Sequence, residues 1–148
     1  MRFNPSVLFV FVCAGLITLG GCAPSNLEER QRKAYRLYQD KEYAAAAQEF
    51  RGLVEHIPRD AELWFRLGNS YTRSQQPQRA IQAYENALLR DPRLARAWYN
   101  KGIVHLQQGL KTFVDMHEYA DSSDSATKRG LHMRDRLLEI LSSEAASD

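Results

Sequence analysis

The chain has 148 residues and a formal net charge of +2, with 26% charged and 44% hydrophobic residues. That length suits one ordinary domain, and so balanced a charge raises no strong basic field for nucleic acid. Cys13 and Cys22 both precede the repetitive part of the chain, which excludes a disulfide framework there.

The first element is short. Met1-Arg2 opens the chain and an apolar run from Val7 to Leu19 follows. The run falls short of the roughly 20 residues that a membrane span needs, and a basic start before it is the pattern of a secretory signal. Gly20-Gly21 lets a peptidase approach the backbone closely, and Cys22 comes next. The stretch Leu19-Gly20-Gly21-Cys22 resembles the lipobox of bacterial lipoproteins. That resemblance implies that 1–21 is a cleaved lipoprotein signal peptide and that Cys22 carries a thioether-linked diacylglycerol. At about 0.8 kcal/mol per buried methylene, two or three acyl chains hold a protein to a membrane with little dissociation. Ala23 stands where Asp would favour inner-membrane retention. The same resemblance therefore implies an outer-membrane protein facing the periplasm, with 22–26 as a polar tether. The residues alone leave open a plain signal peptide, or an uncleaved anchor, in which Cys22 is incidental.

The next elements repeat at an interval of about 34 residues. The landmarks of 61–94 are Trp64, Leu67, Gly68, Tyr71, Ala80, Tyr84, Ala87 and Pro92. One interval back stand Arg30, Lys33, Ala34, Leu37, Ala46, Phe50, Leu53 and Pro58. One interval forward stand Trp98, Lys101, Gly102 and His105, and the pattern then lapses into Val114, Glu118 and Asp121. Trp64, Leu67, Gly68 and Tyr71 form one helical stripe, and Ala80, Ala83, Tyr84, Ala87 and Leu88 form a second. Pro77 suits the first turn of a helix, while Ile57-Pro58 and Asp91-Pro92 end one. The small Gly68 and Ala80 permit a close crossing, and Tyr71 and Tyr84 fill the space beside it. The unit 61–94 resembles the tetratricopeptide repeat at every signature position. The unit 27–60 departs from it at Arg30 and Lys33, and 95–109 is a partial third.

The spacing predicts helices near 27–40, 43–56, 61–74, 77–90 and 95–108. Leu110–Ala120 is then helix-prone, with Phe113, Met116, His117 and Ala120 on one side. Asp121–Ser125 supplies turn and N-cap residues. A last helix from Ala126 to Ser142 presents Leu131, Leu137, Leu138 and Leu141 as its apolar face. The resemblance implies an all-α, short right-handed solenoid of helix-turn-helix repeats, with 110–148 a degenerate third hairpin and C-terminal cap. A separate partner-binding element in 110–148 is the alternative.

In the geometry of the repeat family, the first helices of successive units line a concave surface. The resemblance assigns Tyr35, Tyr38, Phe65, Arg66, Asn69, Arg73, Arg96, Tyr99 and Asn100 to that surface as partner-binding residues. Asn can pair with both edges of a backbone, Arg can fork a carboxylate, and the rings offer flat apolar area. Of the carboxylate clamp of chaperone-binding relatives, only Asn69, Asn100 and Arg96 are echoed. His56, His105, His117 and His132 show no metal-ligand spacing, and Asp115, His117 and Glu118 diverge around a helix. No phosphate loop, nucleophile elbow or cofactor motif occurs. The expectation is a non-catalytic, lipid-anchored adaptor holding an envelope protein or peptide. The alternative is a pilotin-like or assembly-machinery subunit of an outer-membrane secretion, pilus or barrel-assembly complex. The pattern leaves the oligomeric state open.

Overall fold

A computed structural model describes residues 26–145, and within them there are helices and no strand. They are α1 (Asn26–Gln39), α2 (Tyr43–His56), α3 (Ala61–Arg73), α4 (Pro77–Arg90), α5 (Ala95–Tyr119) and α6 (Ser125–Ala145). Each helix packs on the next, and α3 also touches α5, so hairpins α1–α2, α3–α4 and α5–α6 stack in chain order. The signal segment 1–21, Cys22 and most of the tether lie outside the described residues.

The backbone repeats as the sequence does. Lys41 and Gln75, one interval apart, have φ of 63° and 58°. Both close the first helix of a unit in the same way. Lys41 N–H donates to Tyr38 O at 3.2 Å and Glu42 N–H to Leu37 O at 2.9 Å. Gln75 N–H donates to Thr72 O at 3.2 Å and Gln76 N–H to Tyr71 O at 2.9 Å. These paired bonds satisfy carbonyls that a helix end would otherwise leave open. At the head of α3, the Asp60 carboxylate accepts from Glu62 N–H at 2.8 Å and Leu63 N–H at 3.1 Å, a capping contact worth about 1 kcal/mol.

The core follows the small-against-large pattern. Ala34, Ala46, Phe50, Ala80, Tyr84 and Ala87 are all fully buried. A methyl group on Gly68 would lie 2.5 Å from Tyr84 Cε1, so α3 and α4 meet as closely as they do because nothing projects from that carbon. In the first unit the departures Arg30 and Lys33 find a common partner. Glu49 of α2 takes Arg30 Nε at 3.1 Å and Lys33 Nζ at 2.7 Å. Gly52 leaves the room that Arg30 needs, since a methyl there would lie 2.7 Å from Arg30 Nη1.

The third unit differs from expectation. The sequence pattern ends one helix near 108 and starts another near 110, whereas α5 runs unbroken through Gly109. Gly109 is the counterpart of Lys41 and Gln75, and as glycine it is the residue best able to take their left-handed turn. The residues after Gly109 are the reason that it does not. Val114 falls where Ala46 and Ala80 make tight crossings, and Glu118 falls where Phe50 and Tyr84 plug the hairpin. A branched and a charged side chain cannot repeat that packing, so continuing the helix keeps its hydrogen bonds at no loss of core.

In consequence, a methyl on Gly102 would meet nothing within 4 Å. Instead α6 folds back on the later part of α5, where Gly130 accommodates Phe113 and Met116 and Leu137 lies over Gly109. The start of α6 is held by the Asp124 carboxylate, which accepts from Ala126 N–H at 2.6 Å and Thr127 N–H at 3.3 Å. Its apolar face is narrower than expected. Leu137 is buried and Leu131 and Leu141 are half-buried, but Leu138 is 48% exposed, and Thr127 and Gly130 are buried instead.

A concave cavity between the first helices and the last

The residues assigned to the concave surface fall into two neighbouring groups. The first is self-contained. Glu62 accepts from Arg66 Nε at 2.7 Å, one helical turn away, and also pairs with Arg96 from the next unit. The Arg96 guanidinium lies 4.7 Å from the centroid of the Phe65 ring, and Arg66 lies 5.9 Å from it. Arg66 is also 5.5 Å from the Tyr35 ring, which meets Phe50 edge-on at 5.3 Å. Phe65 is only 5% exposed beneath these cations. It offers no open platform to a partner, contrary to the flat apolar area expected of it. Tyr35 stays half-buried at the edge of the stack.

The second group opens onto a cavity of about 640 Å³. It collects Tyr38 from α1, Asn69 and Arg73 from α3, and Tyr99 and Asn100 from α5. Asn69 Oδ1 accepts from Tyr84 Oη at 2.9 Å and from Asn100 Nδ2 at 2.8 Å. Thr72 Oγ1 lies 2.9 Å from the same Tyr84 hydroxyl. Burial pushes the Tyr84 phenol up to about 12, because the phenolate would lose its water. Tyr84 is thus a fixed neutral donor at the cavity floor. Arg73 sits 5.9 Å from the Tyr43 ring and has no carboxylate partner among the described residues.

Two contributors were invisible to repeat-based reasoning. Tyr84 belongs to the second helix of its unit, and its packing role against Gly68 hid the polar role of its hydroxyl. Leu141, from the last turn of α6, closes one side of the cavity beside Ile103 and Gln107. The only sequence signal for Leu141 was its place on an apolar stripe, which does not say which surface that stripe covers.

No group of three or more His, Cys, Asp or Glu residues able to hold a metal occurs among the described residues. Among them, too, no helix is long and apolar enough to cross a membrane. Asp115 pairs with Lys111 at 3.0 Å along α5.

Residues 65–112 match the family model described as tetratricopeptide repeat. The peroxisomal targeting signal receptor of Kluyveromyces lactis is 35% identical over 89 residues, which are 55% of this chain and 16% of the receptor. That of Candida glabrata is 29% identical over 125 residues, 70% of this chain and 21% of the receptor. The chain therefore spans less than a quarter of the length of these relatives. Among solved structures, the Yersinia enterocolitica type III secretion chaperone SycD, in complex with a peptide of the translocator YopD, superposes with a TM-score of 0.55. It is 21% identical, and the match covers 75% of this chain and 91% of SycD. MamA from Desulfovibrio magneticus RS-1 also gives a TM-score of 0.55 at 20% identity, over 82% of this chain and 59% of MamA. The six helices among the described residues form the all-α fold of proteins built from tetratricopeptide repeats.

Proposed function

We propose that this protein is a non-catalytic adaptor that holds a segment of another protein in its concave cavity, tethered by lipid on Cys22 to the periplasmic side of the outer membrane. The observation that carries the binding part is the cavity itself. Side chains from α1, α3, α5 and α6 converge there, and Arg73 has no carboxylate partner among the described residues. Two comparisons support the same reading: SycD was solved with a peptide of its translocator, and the fungal relatives are named as receptors for a targeting signal. The lipid anchor rests on Leu19-Gly20-Gly21-Cys22 and the apolar run before it. The test of binding is a photoreactive residue in place of Tyr99, crosslinked in intact cells and read by mass spectrometry. One reproducible protein is expected, and its capture should be lost when Arg73→Glu blocks the cavity. Crosslinks unchanged by Arg73→Glu would remove the site. The anchor is tested by metabolic labelling with an alkyne fatty acid, which Cys22→Ala abolishes if the reading is right.

A second reading, a permanent structural subunit of an outer-membrane assembly, draws on the unfinished third unit. Trp98 is 55% exposed and Gly102 faces open space, where a hairpin partner lies in the unit before. A protein recovered as a monomer from gently solubilised membranes would count against this reading.

A further inference from the structure

The hydrogen-bonding groups left over in the cavity specify the chemistry of what fills it. The carboxylate that lines the other part of the concave face, Glu62, is already shared by Arg66 and Arg96. Among the described residues, no Asp or Glu lines the cavity. The acceptor of Asn69 is used twice, by Tyr84 and by Asn100, while its Nδ2 donates to nothing among the described residues. Tyr38, Gln75, Asn100 and Gln107 add groups that can donate and accept alike, and Arg73 is the one charged side chain among the described residues of the lining. A ligand that pairs with Arg73 must bring an acceptor, preferably a charged one, because a guanidinium binds a carboxylate more tightly than a neutral oxygen. A basic ligand would meet Arg73 with no carboxylate to offset it. Beside these donors lie Ile103 and Leu141, with Tyr99 at 53% exposure, an apolar rim for one or two side chains. At about 640 Å³ the cavity has the size of a small-ligand pocket, so it admits a few side chains and not the body of a helix, about 10 Å across.

We infer that the cavity receives an acidic, apolar-flanked segment of a partner protein, its carboxylate on Arg73 and its apolar side chain against Leu141. This rests on the adaptor reading and specifies its ligand. It also changes the role of α6. The register that places Gly130 over Phe113 and Met116, and Leu137 over Gly109, carries the last turn of α6 to the cavity. The C-terminal helix is thus a wall of the binding site as well as an end cap, and recognition depends on residues beyond the repeat.

The test uses detergent-solubilised full-length protein and an array of end-blocked peptides. Each peptide carries one Leu or Phe and, three or four positions away, Glu, Gln or Lys. Glu peptides should bind about tenfold more tightly than their Gln counterparts, an advantage that shrinks as salt rises. Arg73→Gln should erase the preference for Glu, so that Glu and Gln peptides bind alike, with helicity by circular dichroism unaltered. Leu141→Ala should weaken Glu and Gln peptides alike, with helicity by circular dichroism unaltered. A preference for Glu that survives Arg73→Gln overturns the carboxylate seat, and affinity indifferent to Leu141→Ala overturns the role of α6. If no acidic preference is found while Tyr99 still crosslinks one protein in cells, the ligand chemistry is wrong and the adaptor reading stands. If both fail, the adaptor reading falls with it.

Discussion

Tyr84 packs against the bare α-carbon of Gly68, with its ring atoms where a side chain at 68 would begin. Its hydroxyl is tied to Asn69 and Thr72 of the same helix as Gly68, so the ring cannot step back without breaking those bonds. Gly68→Ala should therefore force a shift in a packed core and cost about 1–3 kcal/mol. Gly102 holds the same repeat position but faces open space. Gly102→Ala should stabilise by up to about 1 kcal/mol, since alanine is the better helix former. Urea unfolding of both variants checks the opposite signs, and equal effects would show that the two sites are alike after all.

Trp64 and Trp98 are held by the same bond. Each indole N–H donates at 3.0 Å to a proline carbonyl six residues earlier, Pro58 and Pro92. They differ in what covers them. Arg90 from α4 stacks on Trp64 at 4.9 Å and also donates to Pro58 O, whereas its counterpart in the third unit is Asp124, in the turn before α6. Acrylamide should thus quench Trp98 more strongly than Trp64. The Trp98→Phe variant should keep the more protected emission, and the Trp64→Phe variant the more accessible.

Burial raises the Tyr84 phenol to about 12 from an ordinary value of 10. A folded-state value above the unfolded one means that the native protein holds its proton longer. The contribution is complete below pH 10 and is lost as pH rises toward 12. Tyr84→Phe should cost about 0.5–1.5 kcal/mol at neutral pH through the lost hydrogen bonds. It should also flatten the alkaline fall in stability, measured by urea midpoints between pH 9 and 11.

Glu49 titrates below the usual carboxylate range, chiefly through its bond to Lys33, with Arg30 adding to it against the opposing effect of burial. The folded value is depressed, so this stabilisation is present above about pH 4.5 and fades as the carboxylate protonates at lower pH. Glu49→Gln should destabilise by roughly 0.2–1 kcal/mol at neutral pH, because both cations are partly exposed. Thermal melts of the two proteins should converge near pH 3.

What the sequence determined by itself was local and periodic. The stripes Trp64-Leu67-Gly68-Tyr71 and Ala80-Tyr84-Ala87 specify helices and their faces, because the helical period alone decides which residues share a side. Pro58 and Pro92 mark where the chain turns. The small-against-large spacing pairs Gly68 with Tyr84, and the breakdown at Val114 and Glu118 marks where the repeat stops. Tertiary structure decided what covers each face. Phe65 and Tyr99 hold equivalent concave positions on their helices. Yet Phe65 is sealed by Arg66 and Arg96, which Glu62 gathers from two units, while Tyr99 is 53% exposed at the cavity rim. The unbroken α5 was settled by a comparison that no short window contains, the packing that a second helix would have gained there against the hydrogen bonds it would have broken. Leu141 reaches the cavity only through the register of α6 on α5, which depends on Gly130 seating Phe113 and Met116 and on Leu137 lying over Gly109. Contacts between helices distant in sequence depend on shape and on competition for the same surface, and neither is written in the period of one helix.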